Sequence, residues 1–308
     1  MADIVTVTRQ RLHPDGPELS RLVWGAWRAV ESPETDTPGK LARLIDACAE
    51  LGITSFDHAD IYGGYRAEAA FGAALREWRG DRDRLELVTK CDIALVDPAR
   101  PAHRVKHYDT SAAHIRRSLE ASLRQLGTDH VDLLLLHRPD PLLDADETAA
   151  VLEELVRAGK TRAIGVSNHA PRQIDLLQAR LSIPLVTNQI ELSVMHTTPL
   201  FDGTLDQAQL RRTAPMAWSP LGGGGLFARS TPQAQRVALA LDEAAGALGT
   251  EPSQVALAWL LRHPSRPVPV LGTSRIDRLH QLVLAERLEL DRQTWFAILE
   301  ASLGHEVP

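Results

Sequence analysis

After its first twenty residues the chain alternates two patterns of hydrophobic and polar positions. Short, mostly apolar runs fall at 21–24, 53–56, 85–89, 131–136, 163–166, 185–188, 215–218 and 268–271. A strand with one wet face would show a polar residue at every second position. These runs do not, so they predict parallel strands covered on both sides. Between them, apolar residues recur at three- and four-residue spacing over 37–51, 66–78, 110–126, 146–158, 171–180, 232–248 and 275–287, which predicts amphipathic helices. Gly52, Gly80, Gly127 and Gly159 stand where four of these should stop, and Pro171 where another should start. Asp109, Thr110 or Ser111 is placed to cap the third. Two further helical segments, 253–262 and 292–301, lie outside the alternation. Ahead of it, 5–12 and 18–20 flank His13-Pro14-Asp15-Gly16 and predict a small hairpin.

Eight strands, intervening helices and no linker rich in Pro, Gly or Ser predict one (β/α)8 barrel domain across residues 1–308, with an N-terminal β-hairpin and two extra helices. A doubly wound sheet is the competing architecture. It normally carries G-x-G-x-x-G after its first strand, where this chain reads Trp24-Gly25-Ala26-Trp27. Composition then removes several function classes. A net charge of −6 without basic runs gives no footprint for nucleic acid. The longest apolar runs, such as 131–136, are far too short to span a bilayer, and Met1-Ala2-Asp3-Ile4-Val5 lacks the pattern of a signal peptide. Cys48 and Cys91 make neither a disulfide framework nor a metal motif, so a reducing, cytoplasmic setting is expected. Of 34 lysines and arginines, only Lys40, Lys90, Lys106 and Lys160 are lysines, which makes Lys90 at a strand end conspicuous.

In a parallel barrel the C-terminal strand ends meet at one mouth. The strand assignment brings Asp57, Tyr62, Thr89-Lys90, His137, Ser167-Asn168, Asn188-Gln189, Trp218-Ser219 and Gly272-Thr273-Ser274-Arg275 there. A phenol titrates near ~10 and is a poor acid at neutral pH. An adjacent ammonium favours the phenolate and is expected to pull that pKa down, while a carboxylate keeps the ammonium charged and aimed. Tyr62, Lys90, Asp57 and His137 together therefore make a general acid for an oxygen acquiring negative charge. Gly165-Val166-Ser167-Asn168-His169 lacks the G-x-S-x-G elbow of a serine nucleophile. His103 and His107 fall in a loop without nearby carboxylates, so no metal site is expected.

Six motifs in order carry a resemblance: Asp57-x-Ala59-x-x-Tyr62-Gly63, Thr89-Lys90, Leu133 to His137, Gly165-Val166-Ser167-Asn168, Asn188-Gln189 and Trp218-Ser219-Pro220-Leu221-Gly222. Together they resemble the aldo-keto reductase superfamily, most nearly its bacterial general oxidoreductase branch, in register to about Arg287. The resemblance implies NADPH-dependent reduction of a small aldehyde or ketone on a barrel without a Rossmann domain, by a monomer or weak homodimer. It makes Tyr62 the proton donor, tuned by Lys90 and Asp57, with His137 orienting the carbonyl; Trp27, at the end of the first strand, either lines the substrate pocket beside them or packs as core. It implies that Ser167, Asn168 and Gln189 hold the nicotinamide carboxamide, that Trp218 stacks on its ring, and that Gly25, Ala26 and Trp27 lie against the coenzyme. Ser219 and Pro220 would lie against the coenzyme, and Leu221 to Gly225, with Gly222 and Gly223 among them, would run beside the pyrophosphate. Gly272, Thr273, Ser274, Arg275 and Arg278 would take the 2′-phosphate that distinguishes NADPH/NADP+ from NADH.

The chain departs from the family where Glu and Asn often contact adenine; here those positions are Gln281 and Leu282. It ends soon after its last helix, without the long C-terminal loop of the vertebrate enzymes. A regulatory subunit resembling the potassium-channel β-subunits shares the same tetrad and is the alternative reading. A metal-dependent barrel hydrolase or isomerase is a third.

Overall fold

A computed structural model describes residues 6–307, so Val5, at the start of the predicted hairpin, lies outside the described residues. Eight parallel strands close on themselves: β1 (Val23–Gly25), β2 (Ser55–Asp57), β3 (Glu86–Cys91), β4 (Val131–Leu136), β5 (Thr161–Ser167), β6 (Leu185–Glu191), β7 (Met216–Trp218) and β8 (Val268–Leu271). Each pairs with the next in sequence and β8 returns to β1, which is the barrel the alternation predicts. Strand β1 starts later than 21 because the Arg21 backbone N–H is still donated to the Thr8 carbonyl of the N-terminal hairpin. That hairpin pairs Arg9–Arg11 with Glu18–Ser20.

Side chains on the strands sort by a two-residue period. Val23, Val88, Leu133, Leu135, Ala163, Met216, Val268 and Val270 share one apolar cluster with Leu12 and Leu19 of the hairpin. The hairpin thereby stops the N-terminal end of the barrel with two fully buried leucines. The alternate residues Trp24, Phe56, Leu134, Leu136 and Ile164 join the larger cluster shared with the surrounding helices.

The helices begin on the punctuation the sequence supplies. Ser111 accepts the N–H of His114 at the start of Ala112–Leu126, and Thr37 and Thr231 cap Pro38–Glu50 and Pro232–Leu248 in the same way. The helix predicted to reach 78 ends at Glu77, where Trp78 turns extended. The segment 275–287 divides into an α-helix, Ile276–Leu282, and a 3-10 stretch, Val283–Arg287. The two helices outside the alternation form at Pro252–Leu261 and Arg292–Leu303. Trp259 and Trp295 tie them together, stacked 4.7 Å apart, each indole N–H donating to the other's backbone carbonyl.

Some elements were not predicted. Thr204–Leu210 supplies a helix between β6 and β7. Ile93–Ala94 pairs with His107–Tyr108, so His107 belongs to a short antiparallel ladder and not to a free loop. Among the described residues no helix is long and apolar enough to cross a membrane.

Candidate active site

Strand β2 ends at Asp57 with its side chain inward, and β3 carries Lys90 on the matching inward face two residues beyond Val88. Parallel register sets Asp57 against Val88 and Lys90 against Leu135, placing both groups one layer above the apolar plug. Tyr62 comes back over them from a helical turn, Tyr62–Tyr65, in which Gly63 and Gly64 take left-handed φ of 59° and 62°. A side chain at Gly63 would run into Cγ2 of Val30 as well as strain the backbone.

The Lys90 ammonium is fully buried and satisfied three ways. It donates to Asp57 Oδ2 at 2.7 Å, to the His58 carbonyl at 2.8 Å and to the Tyr62 hydroxyl at 3.0 Å. Gln189 Nε2 donates to the other Asp57 oxygen at 2.8 Å, so both oxygens of this buried carboxylate are paired. The Tyr62 and His137 rings lie edge-on with centroids 5.8 Å apart. The structure thus brings Tyr62, Lys90, Asp57 and His137 together from three strand ends and one loop.

Burial works against charge on Lys90, but Asp57 and Tyr62 outweigh it and its pKa lies above the ordinary value. Burial pushes the Tyr62 phenol up; Lys90 pulls it down, Asp57 adds to the rise, and the net direction is upward. The sequence reasoning expected a net fall. The ammonium's pull is present, but the cost of burying a phenolate exceeds it. His137 is held well below its ordinary range by burial, then by Lys90, Arg138 and Lys106, so its imidazole is neutral at pH 7.

Around this centre, Asn168 joins three neighbours. It accepts from the Trp218 indole at 2.9 Å and donates to Ser167 Oγ at 2.8 Å and to the His137 carbonyl at 3.3 Å. Ser167 Oγ in turn donates to the Gln189 carbonyl at 2.8 Å. Ser167, Asn168, Gln189 and Trp218 are therefore one connected polar edge, with Gln189 turned inward to Asp57. Trp27, 55% exposed, stands edge-on to Tyr62 with centroids 4.9 Å apart. Ala26 is buried, and Gly25 has a packing reason of its own, since a Cβ there would meet Val270 Cγ1 at 2.8 Å.

On the β7 and β8 side, Ser219 has φ of 50°, Pro220 is buried, and the turn after Leu221 is left-handed at Gly222, Gly223 and Gly224. Gly272 is exposed with open space where a Cβ would stand. The Thr273 carbonyl accepts the Trp24 indole N–H, and Ser274 Oγ bonds Ser32 Oγ at 2.6 Å. Arg275 is clamped bidentately on Asp277, and Arg278 is exposed. Ser274 and Arg275 line a groove of about 340 Å³ together with Lys40, Arg43 and Glu34. Lys40 and Arg43 come from the helix Pro38–Glu50, remote in sequence, so no strand end points to them. Leu282 is buried in the core and cannot face that groove, while Gln281 is exposed. Arg138, which follows His137, was missed as well; its guanidinium lies 5.9 Å from the Trp218 ring. Among the described residues no cluster of three or more His, Cys, Asp or Glu is arranged to hold a metal ion.

Chemically, this is a buried phenol in contact with an ammonium, beside a neutral imidazole, under a half-exposed indole. Such a group can give a proton to, and hydrogen-bond, an oxygen brought beside it. The profile of the Aldo/keto reductase family matches residues 21–302. A 6-dehydroglucose reductase of Agrobacterium fabrum is 49% identical over 293 residues, covering 95% of this chain and 97% of that protein. The oxidoreductase YdhF of Escherichia coli is 48% identical, covering 98% and 100%. Among solved structures, a thermostable aldo-keto reductase in complex with the inhibitor epalrestat superposes with a TM-score of 0.80 at 28% identity, over 96% of this chain and 99% of that one.

Proposed function

The chain belongs to the aldo/keto reductase family and is an oxidoreductase, and from that premise we propose that it reduces an aldehyde or ketone to the alcohol with NADPH, Tyr62 supplying the proton. The observation that carries this reading is the Lys90 ammonium seated between Asp57 at 2.7 Å and the Tyr62 hydroxyl at 3.0 Å. A phenol whose ordinary acidity burial has weakened becomes a donor when negative charge builds on an oxygen beside it, because the ammonium stabilises the phenolate left behind. Asp57, fixed by Gln189, keeps the ammonium in place. The neutral His137 ring offers a hydrogen bond to the same substrate oxygen without competing as an acid.

The residues present fit a nicotinamide coenzyme. Ser167, Asn168 and Gln189 give hydroxyl and amide groups matched to a carboxamide, Trp218 gives an aromatic face, and the left-handed turn at Gly223 and Gly224 leaves room for phosphate oxygens, Gly222 being packed on Met195. Bound there, the coenzyme would supply hydride to the carbonyl carbon. The groove lined by Lys40, Arg43 and Arg275 beside Glu34 and Asp277 supports NADPH over NADH, since a 2′-phosphate there meets Arg43, free among the described residues, and competes with Asp36 and Asp277 for the other two cations. The printed activity of the Agrobacterium relative makes an oxidised sugar the first substrate to assay.

The test is Tyr62→Phe. Turnover should fall about 10²–10⁴-fold, the size of a lost general acid, while the Kd for NADPH from tryptophan quenching stays within about threefold. Comparable turnover in the variant would refute Tyr62 as the donor.

A further inference from the structure

Besides the tetrad, the mouth holds two cations that nothing in the reaction so far uses. Arg138 follows His137 directly. Its backbone N–H is donated to both oxygens of the buried Asp92 carboxylate at 3.2 Å, which fixes where its side chain departs. The guanidinium then lies over Trp218 at 5.9 Å, half-buried, with no carboxylate and no hydrogen-bond acceptor among the described residues. Lys106 is exposed on the loop that the pairing of Ile93–Ala94 with His107–Tyr108 folds back towards the end of β3. It too has no partner among the described residues, and after burial both charges bear on the His137 ring. The exposed indole of Trp27 is packed on Tyr62.

A guanidinium half-withdrawn from water without an acceptor is costly to cover with anything apolar. It is a strong donor fork for oxygens that are brought to it. We propose that Arg138, seconded by Lys106, is a specificity-determining residue that selects carbonyl substrates bearing oxygen acceptors, vicinal hydroxyls or a carboxylate, a few bonds from the reacting carbon. The Trp27 face covers the C–H side of such a molecule. This rests on the carbonyl-reductase reading above and adds the class of substrate to it. A site built to bond an oxygen rejects the analogue that lacks it far more strongly than an apolar pocket distinguishes one methylene.

The test measures kcat/KM on matched pairs of equal carbon number: glyceraldehyde against propanal for the hydroxyl arm, succinic semialdehyde against butanal for the carboxylate arm. The wild-type protein should prefer the oxygen-bearing member in at least one pair. In Arg138→Ala that preference ratio should fall about 10–100-fold, the span of one lost charge-assisted bond, chiefly through KM. Using the ratio cancels any effect of the lost charge on His137 and Tyr62, which both substrates of a pair share. Arg138→Lys, which keeps charge but not the fork, should recover the carboxylate arm more than the hydroxyl arm. The proposal is overturned if the ratios in both Arg138 variants stay within twofold of wild type, or if the Kd for NADPH rises by the same factor as KM, which would make Arg138 a coenzyme contact. Wild-type reduction of propanal and butanal with no preference for their partners also overturns it, and leaves carbonyl reduction standing. Absence of turnover with all four compounds overturns both.

Discussion

Replacing Lys90 by methionine keeps most of the side-chain volume and removes the ammonium. Three bonds go with it, to Asp57 Oδ2, the His58 carbonyl and the Tyr62 hydroxyl. Asp57 is 2% exposed and Lys90 0%, so no solvent replaces the lost partner. Breaking a buried pair by deleting one member costs about 3–5 kcal/mol, because the remaining charge is stranded. Gln189 still holds one Asp57 oxygen, which puts the expectation at the lower end of that range, about 3 kcal/mol. Adding Asp57→Asn removes the stranded charge, and the double variant should regain about 2 kcal/mol; because Asp57→Asn alone strands the ammonium, the coupling energy in the double-mutant cycle should exceed that gain by the cost of the Asn variant itself. Urea unfolding followed by tryptophan fluorescence measures all four proteins. A loss under about 1 kcal/mol in Lys90→Met would mean that water reaches the pair. A double variant as unstable as the single one would mean that the damage is steric and the electrostatic reasoning wrong.

Burial pushes the Asp60 carboxyl up to about 7, Ser118 at 2.6 Å only partly opposing it and Glu68 adding to it. Its folded pKa is then above its unfolded value, the native state holds the extra proton, and stability falls as pH rises from about 4 to 7 at about 1.4 kcal/mol per unit. Asp60→Asn should flatten that decline without abolishing it, since burial raises Glu68 and Asp92 in the same direction; an unchanged slope in pH-dependent urea midpoints refutes this. Arg275→Ala should weaken NADPH about tenfold more than NADH in fluorescence titrations, and Asp277→Asn, which frees that guanidinium, should do the reverse. Equal weakening of both coenzymes would remove Arg275 from phosphate recognition.

What could be read in the chain beforehand follows the reach of each interaction. Val131–Leu136 is apolar at every position but Asp132, a signature of burial on both faces that no helix face of that length shares, and its bounds came out as read. The tetrad was legible for the same reason: strand ends fix positions, and a barrel makes positions converge. Thr204–Leu210 was not, because two turns of Thr-Leu-Asp-Gln-Ala-Gln-Leu carry too few apolar residues to show a period. The direction of the Tyr62 shift was misread because its sign is a competition between one named charge and the surrounding protein, and only the former is visible in a sequence. Lys40, Arg43 and Arg138 escaped because cations on helices and loops look like surface charge until the groove or ring they face is known.

The leucine stopper at the lower end of the barrel has one more consequence. With Leu12 and Leu19 sealing that side, the ammonium at residue 90 is closed off from water below, and the phenol it touches lies towards the mouth. On the proposed chemistry, a proton given away at the mouth is refilled from the mouth, so recharging the acid waits until the alcohol has left the doorway it occupies.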